Sequence, residues 1–296
     1  MSTRSFALLF LCGLVGCSQA SSGGSLSTVT LVGAGDIAIC GGLSAADSTA
    51  ARTAALVART PSAAVFTLGD NAYNNGAIEE YRDCYGPTWG AFRDRTHPTP
   101  GNHEYQTPGA DGYFTYFGDR AGPDRRGYYS YDLGSWHIIS LNSNIDAAFG
   151  SDQEKWLRAD LTSHRDMRCT LAYWHHPLFS SSSVHGNDPK MADLFRTLAE
   201  FGADIVLSGH DHGYERFAPQ SFDAAPDPRH GIRSFVVGTG GASPYSFAAP
   251  QPNSEVRIEN TFGVIRFALR DGSYEWEFVP DTSTGRWDGG QALCND

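Results

Sequence analysis

Ile205-Val206-Leu207-Ser208-Gly209-His210-Asp211-His212 is the stretch whose reading decides the fold. A β-branched apolar run too short for a helix ends in a glycine, followed at once by two histidines and an aspartate; this is the form of a strand that stops at a polar site. His210 and His212 are two apart, so in an extended segment both face one side and Asp211 faces away. The same pattern recurs along the chain. Apolar runs lead into Gly35-Asp36, into Gly69-Asp70-Asn71-Ala72-Tyr73 and into His175-His176-Pro177, while Pro98-Thr99-Pro100 leads into Gly101-Asn102-His103-Glu104.

Working outward, the apolar runs at 29–32, 64–68, 136–141, 169–174, 204–207, 234–237 and 263–269 read as strands, being short and rich in β-branched or aromatic residues. Residues 128–142, folded about Leu133-Gly134-Ser135, read as an antiparallel hairpin. Three segments read as helices. Ser151-Asp152-Gln153-Glu154 has capping-box form ahead of Trp156, Leu157 and Leu161. Asp188-Pro189 supplies an N-cap and first turn before Met191, Leu194, Phe195 and Leu198, with Gly202 to close it. Residues 45–59 are Ala-rich and helix-favouring. Mixed β-α and hairpin connectivity points to one α/β domain over 28–296 with two sheets and outer helices.

In such sheets ligands collect beyond the carboxyl ends of strands, so five strand ends can converge on one site. Two Asp, one Asn, several His and one Tyr brought together without a cation would be a cluster of desolvated, poorly paired groups. A pair of metal ions removes that difficulty, and this N/O donor set suits zinc, iron or manganese rather than a thiolate metal. Asn102 and His103 are neighbours facing opposite ways, so one should be a ligand and the other should sit nearer a substrate.

In order, G-D, G-D-x-x-Y, G-N-H-E, H-x-P and G-H-x-H between Asp36 and His212 resemble the five motif blocks of calcineurin-like metallophosphoesterases, and Tyr73 after Asp70 is the form seen in purple acid phosphatases. The resemblance implies a four-layer α/β/β/α sandwich of two mixed β-sheets with the metal site at the C-terminal ends of strands. Asp36, Asp70, Tyr73 and His212 would hold a first metal, and Asn102, His175 and His210 a second, with Asp70 bridging. Since a phenol ordinarily titrates near pH ~10, Fe(III) is the natural occupant of the first site; Fe(II), Zn or Mn would fill the second. The implied reaction is attack of metal-activated hydroxide on a phosphate monoester. His185 resembles the substrate-side histidine of purple acid phosphatases, and His103 is the other candidate general acid. A phosphodiesterase or nucleotidase on the same site is the nearest alternative, and a non-catalytic metal- or phosphate-binding lipoprotein is the alternative of another class.

Other residues are read more plainly. His176 is taken as a neighbour of the ligands, and His97, His137, His164 and His230 as ordinary core or surface residues. Glu215 and Arg216 are expected to form an ion pair behind the last ligand loop. The stretch 238–241 lacks the lysine of a phosphate loop and reads as a close-packed turn near the site. Tyr113, Phe114, Tyr128 and Tyr129 are expected in the core.

Arg4 followed by the apolar run 6–15 has the form of a signal peptide, too short to span a bilayer. Leu14-Val15-Gly16-Cys17 resembles the bacterial lipobox, which implies a lipoprotein signal peptide over 1–16, an acylated Cys17 and a flexible tether over 17–27. Simple secretion with cleavage after Ala20 is the alternative. In either case the domain is exported, and Cys40, Cys84, Cys169 and Cys294 remain in an oxidising compartment. Of the three possible pairings, Cys40 with Cys84 and Cys169 with Cys294 are favoured, because the second pins the C-terminal tail to the body.

With 41% hydrophobic and 19% charged residues the chain can bury one large core. Its 22 Lys+Arg against 33 Asp+Glu give a net charge of -11, which excludes a general nucleic-acid binder. The expected partner is a small phosphorylated substrate, with the membrane reached only through the lipid anchor and a monomer as the expected state.

Overall fold

Apolar residues alternate along the central strands and so divide between two cores, as the period of two requires. Trp136 and Ile138, Leu171 and Tyr173, Ile205 and Leu207, and Phe235 and Val237 face one buried cluster. The residues between them, Ile139, Ala172, Val206 and Val236, face a second cluster with Leu157, Leu161, Leu194, Phe195 and Leu198.

The computed structural model describes Met1 and residues 28–41, 44–282 and 287–295. The expected signal peptide, Cys17 and the tether lie outside the described residues. In chain order the strands are β1 (Val29–Ala34), β2 (Ala38–Ile39), β3 (Ala64–Thr67), β4 (Ala72–Tyr73), β5 (Thr96–His97), β6 (Tyr129–Leu133), β7 (Trp136–Ser140), β8 (Cys169–Tyr173), β9 (Ile205–Ser208), β10 (Tyr214–Phe217), β11 (Arg233–Val237), β12 (Ser254–Ile258), β13 (Gly263–Arg270), β14 (Ser273–Pro280) and β15 (Asp288–Leu293). The α-helices are α1 (Thr49–Ala58), α2 (Ile78–Glu80), α3 (Asp111–Phe117), α4 (Asp152–Ser163) and α5 (Ala192–Glu200).

Two mixed sheets result, in the orders β15-β14-β13-β1-β3-β5 and β12-β10-β11-β9-β8-β7-β6, with a short parallel pair β2-β4 beside them. β1, β3 and β5 are parallel in the first sheet, and β7, β8, β9 and β11 in the second. The sheets pack face to face through residues such as Phe235 and Phe267, whose rings meet edge-on at 5.6 Å; such a pair contributes about 0.5–1.5 kcal/mol beyond its buried area. α4 and α5 cover the outer face of the second sheet and close the second core.

The helix expected at 45–59 is divided: residues 45–47 form a single 3-10 turn and Ser48, accepting from Ala51 N at 3.2 Å, caps α1. Residues 189–191 likewise form a 3-10 turn capped by Asp188 before α5 begins. At α4 the Ser151 hydroxyl accepts from Glu154 N, while the Glu154 carboxylate reaches Gly150 N rather than Ser151 N, one residue short of a capping box. Both favoured disulfides, Cys40–Cys84 and Cys169–Cys294, are formed.

His137 is not the ordinary core residue expected. Fully buried on β7, it lies between Asp132 on β6 at 2.9 Å and Asp160 on α4 at 2.8 Å, with the ring of His164 stacked on it at 3.8 Å. Burial opposes its charge, but the two carboxylates outweigh burial and raise its pKa. A group raised on folding stabilises fully below its unfolded pKa, and that contribution is lost as pH rises through the folded value. The stability lost in His137→Gln, measured by chemical denaturation, is therefore expected to be largest near pH ~5.5 and to shrink toward pH ~9. A loss independent of pH contradicts this account of the clamp.

Candidate metal centre

Strand ends β1, β3, β8 and β9 deliver Asp36, Asp70, His175 and His210 to one edge, and Asn102 follows shortly after β5. The loops after β1 and β3 are tied together: Asp36 N donates to Gly69 O at 3.0 Å and Ile37 N to Asp70 O at 2.9 Å. Asp36 (φ 62), Asp70 (φ 47) and His210 (φ 69) all adopt the left-handed region, at a cost on the order of 1–3 kcal/mol each that the surrounding bonds must offset. Glycine beside them is required sterically. A Cβ on Gly69 would lie 2.6 Å from His175 Nδ1, and one on Gly101 would lie 2.1 Å from Asp70 Oδ1.

Each carboxylate has one oxygen bound by the backbone and one left for the cluster. His210 N donates to Asp36 Oδ2 and His103 N to Asp70 Oδ1, both at 2.9 Å. Asp36 Oδ1 faces Tyr73 Oη at 3.0 Å and His212 Nε2 at 3.3 Å. Asp70 Oδ2 lies 3.2 Å from Tyr73 Oη and 3.3 Å from His175 Nε2, so it belongs to both halves of the site. His175 Nε2 is also 3.0 Å from Asn102 Oδ1 and 3.1 Å from His210 Nδ1.

The tautomers decide what these contacts mean. His175 Nδ1 is 2.7 Å from Leu68 O, and His212 Nδ1 is 2.8 Å from Ser243 O. A carbonyl only accepts, so both Nδ1 atoms carry hydrogen, and it is Nε2 of each ring that faces the other acceptors and offers a lone pair once its proton is displaced. Lone pairs that converge in a buried place fit a cation, and the oxygen and imidazole donors present are of the kinds that hold one.

Protonation tells the same story. Burial alone would raise Asp70, but His175 and His103 hold it well below the usual carboxylate range. Burial likewise opposes charge on His175, yet Asp70 carries it up to about 9. A proton on His175 thus balances the site when no cation does, and metal binding would displace it. Burial and the Asp36 and Asp70 carboxylates push the Tyr73 phenol well above its ordinary value. His210 is held down to about 2 by burial and by the charge of His175 and His185.

All seven residues expected as ligands meet here, but the segment 209–213 is not extended. Asp211 N donates to Gly209 O and Gly213 N to Asp211 O, each at 2.8 Å; these tight turns, with His210 left-handed, send His210 toward His175 and His212 toward Asp36. His103 and Asn102 both face the cluster, with His103 Nε2 at 3.8 Å from Asp70 Oδ2. His185 is exposed and stacks over His210 at 4.1 Å. His176 is buried, with Nδ1 at 2.7 Å from Ser143 Oγ. Glu215 and Arg216 do not pair: they point to opposite faces of β10, Arg216 bonding Asp288 and Glu255 while Glu215 receives Ser181.

Two further residues were not read from the sequence. Tyr245 lies flat on His212 at 4.0 Å, in a loop with no motif to mark it. Glu104, fully buried, accepts from Asp70 N (2.9 Å) and Gly101 N (2.6 Å) on one oxygen and from Asn71 N (2.9 Å) and Tyr81 Oη (3.0 Å) on the other. It joins the Asp70 and Asn102 turns, and its place in G-N-H-E was the available signal. Burial and Asp70 raise its pKa to about 7. Glu104→Gln would set an amide nitrogen against donors and is expected to lower stability by about 1–3 kcal/mol and metal affinity by about 10–100-fold. Denaturation and metal titration matching the wild type would contradict that role.

The calcineurin-like phosphoesterase family pattern matches residues 30–214. Purple acid phosphatase 22 of Arabidopsis thaliana is 30% identical over 234 residues, which is 69% of this chain and 53% of that protein. The chain spans about half the length of the curated relatives it matches. Among solved structures, the purple acid phosphatase PPD1 from yellow lupin (Lupinus luteus) seeds superposes with a TM-score of 0.73 at 20% identity, over 91% of this chain and 54% of that one. GAP50 of Plasmodium, described as the anchor in the inner membrane complex, superposes at 0.68 and 12% identity over 90% and 89% of the two chains. At these identities the two superpositions establish likeness of fold. The match over 30–214 shows that the chain belongs to the calcineurin-like phosphoesterase family.

Proposed function

We propose that this chain is an exported phosphatase that hydrolyses phosphate monoesters at a dinuclear metal site. The observation that carries the reading is the convergence of oxygen and imidazole donors on both sides of Asp70 Oδ2, with Tyr73 Oη at 3.2 Å on one side and His175 Nε2 at 3.3 Å on the other. Fold alone would not suffice, since function lives in the site.

Asp36, Asp70, Tyr73 and His212 are assigned to the first ion and Asn102, His175 and His210, again with Asp70, to the second. Fe(III) suits the first set, because a phenol pushed upward by burial and two carboxylates gives up its proton only to a strongly polarising cation. The second ion is Fe(II), Zn or Mn. The chemistry supplied by two cations bound among these donors is Lewis-acid stabilisation of the phosphoryl oxygens and activation of water. His185, exposed over His210, gives the leaving oxygen its proton, and His103 is the second imidazole within reach. Asn142 Nδ2, just after β7 of the second sheet, donates to Tyr105 Oη at 2.7 Å and so ties that sheet to the segment that follows Asn102.

A diesterase or nucleotidase is the second reading. The observation that bears on it is a cavity of about 800 Å³ lined by Tyr105, Arg125, Arg126 and Tyr128, whose Tyr105 N donates to Asn102 O at 3.2 Å; two guanidiniums there would suit a further anionic group of a larger substrate. The two disulfides fit an oxidising compartment. Acylation at Cys17 after removal of 1–16, a single domain over 28–296 and a monomeric state complete the proposal.

Metal analysis, a visible spectrum and turnover of p-nitrophenyl phosphate beside its bis ester test this reading. Expected are iron, a tyrosinate charge-transfer band that disappears in Tyr73→Phe, and faster monoester turnover. Asp70→Ala should lose more than the ~10–100-fold that follows removal of an outer partner. A colourless zinc-only or manganese-only protein contradicts the Fe(III) assignment, and undiminished turnover in Asp70→Ala contradicts the function.

A further inference from the structure

Glu215 sits three residues after His212 on β10, is fully buried, and among the described residues forms no direct ion pair. Its bonds go instead to serine. Ser181 N donates to Oε2 at 2.7 Å, Ser181 Oγ donates to Oε1 at 2.5 Å, and the Ser254 hydroxyl also donates to Oε1. Ser181 Oγ accepts in turn from Gln251 N at 2.8 Å, and Ser254 Oγ from Arg257 Nη1 at 2.6 Å. One carboxylate therefore joins three segments: the strand leading out of the ligand turn 209–213, the foot of the loop that carries His185, and the far end of the loop that carries Tyr245.

Those two loops are also joined to each other. Ser183 N donates to Ser246 O at 3.0 Å and Ala248 N to Ser181 O at 2.8 Å, and Ser182 pairs antiparallel with Phe247. At the tip of this ribbon His185 stacks on His210, Tyr245 lies on His212, and the two rings meet at 5.7 Å. A run of four serines, 180–183, has little apolar surface of its own to hold it in place. Its geometry relative to the ligands is set by hydrogen bonds, and Glu215 is where those bonds meet the ligand-bearing strand.

We propose that Glu215 is a positioning residue: by fixing Ser181 it holds the paired loops so that the His185 imidazole stays over His210, where a leaving-group oxygen is to be protonated. This rests on His185 acting as the general acid. A general acid matters most when the leaving oxygen is basic, so an alkyl phosphate exposes its loss and p-nitrophenyl phosphate, with a stable phenolate, largely hides it.

The experiment compares wild type, His185→Gln, Glu215→Gln, Ser181→Ala and the His185→Gln/Glu215→Gln double variant on both esters, with metal content and thermal melting recorded for each. His185→Gln and Glu215→Gln are expected to lose on the order of 100-fold in kcat on the alkyl ester, with a change of at most about threefold on the nitrophenyl ester and unchanged metal content. The double variant should be no worse than His185→Gln, since two changes in one functional unit do not multiply. Ser181→Ala, which leaves the carboxylate in place, should shift the same ratio by about tenfold and carries the test if Glu215→Gln does not fold. Equal losses on both esters, loss of metal in Glu215→Gln, a multiplicative double variant or an unchanged ratio in a folded Ser181→Ala overturns the positioning role while His185 keeps its own. If His185→Gln shows no dependence on the leaving group, the general-acid reading fails and the role of Glu215 falls with it.

Discussion

The buried Asp70 carboxylate is the constraint on which the structure of this site depends. An ionised carboxylate removed from water must be compensated, and Asp70 is compensated from two sides, by Tyr73 with the Asp36 half and by His175 with the Asn102 and His210 half. Its other oxygen is taken by His103 N. The two halves cannot separate without exposing that charge, and they cannot approach further without forcing lone pairs together. On the proposed function a pair of cations would satisfy both demands, and the same donors that would be a liability in an empty core would then serve as a catalytic centre.

The scaffold earns this arrangement through ordinary sheet physics. Strands β1, β3, β8 and β9 all end at one edge; alternation divides the side chains of β8 and β9 between two separate cores, while those of β1 and β3 fill the first. The rigid strands fix where each turn starts. Glu104 then locks the Asp70 and Asn102 turns to each other with four well-formed bonds, and Glu215 does the corresponding work for the loops above the histidines. Both acids are invisible to solvent and both act on backbone or hydroxyl donors, so their contribution is to geometry.

Much of this was legible because motif residues sit where strand periodicity breaks. Gly-Asp and Gly-His-Asp-His each follow an apolar run, Gly-Asn-His follows Pro98-Thr99-Pro100, and a glycine is needed wherever a ligand passes within contact of the neighbouring turn. The direction of each side chain was less legible. The spacing of His210 and His212 suggested an extended segment, but a left-handed His210 and two tight turns bring them to the site by another route. β14 escaped because its Tyr274, Trp276 and Phe278 alternate with Ser273, Glu275 and Glu277, leaving no continuous apolar run to find. β15 carries Gly289 and Gly290 packed against tryptophans, and nothing in its composition announces a strand. Tyr245 and the serine bonds of Glu215 are tertiary pairings between distant loops, which local pattern cannot supply.

Metal-edge anomalous diffraction from crystals of the purified domain tests the central claim most directly. Two peaks are expected, one on each side of the Asp70 carboxylate and ~3.5–4 Å apart, with Tyr73 and His212 at one and Asn102, His175 and His210 at the other. A metal-replete crystal with a single ion remote from Asp70, or with no ion among these residues, would contradict it.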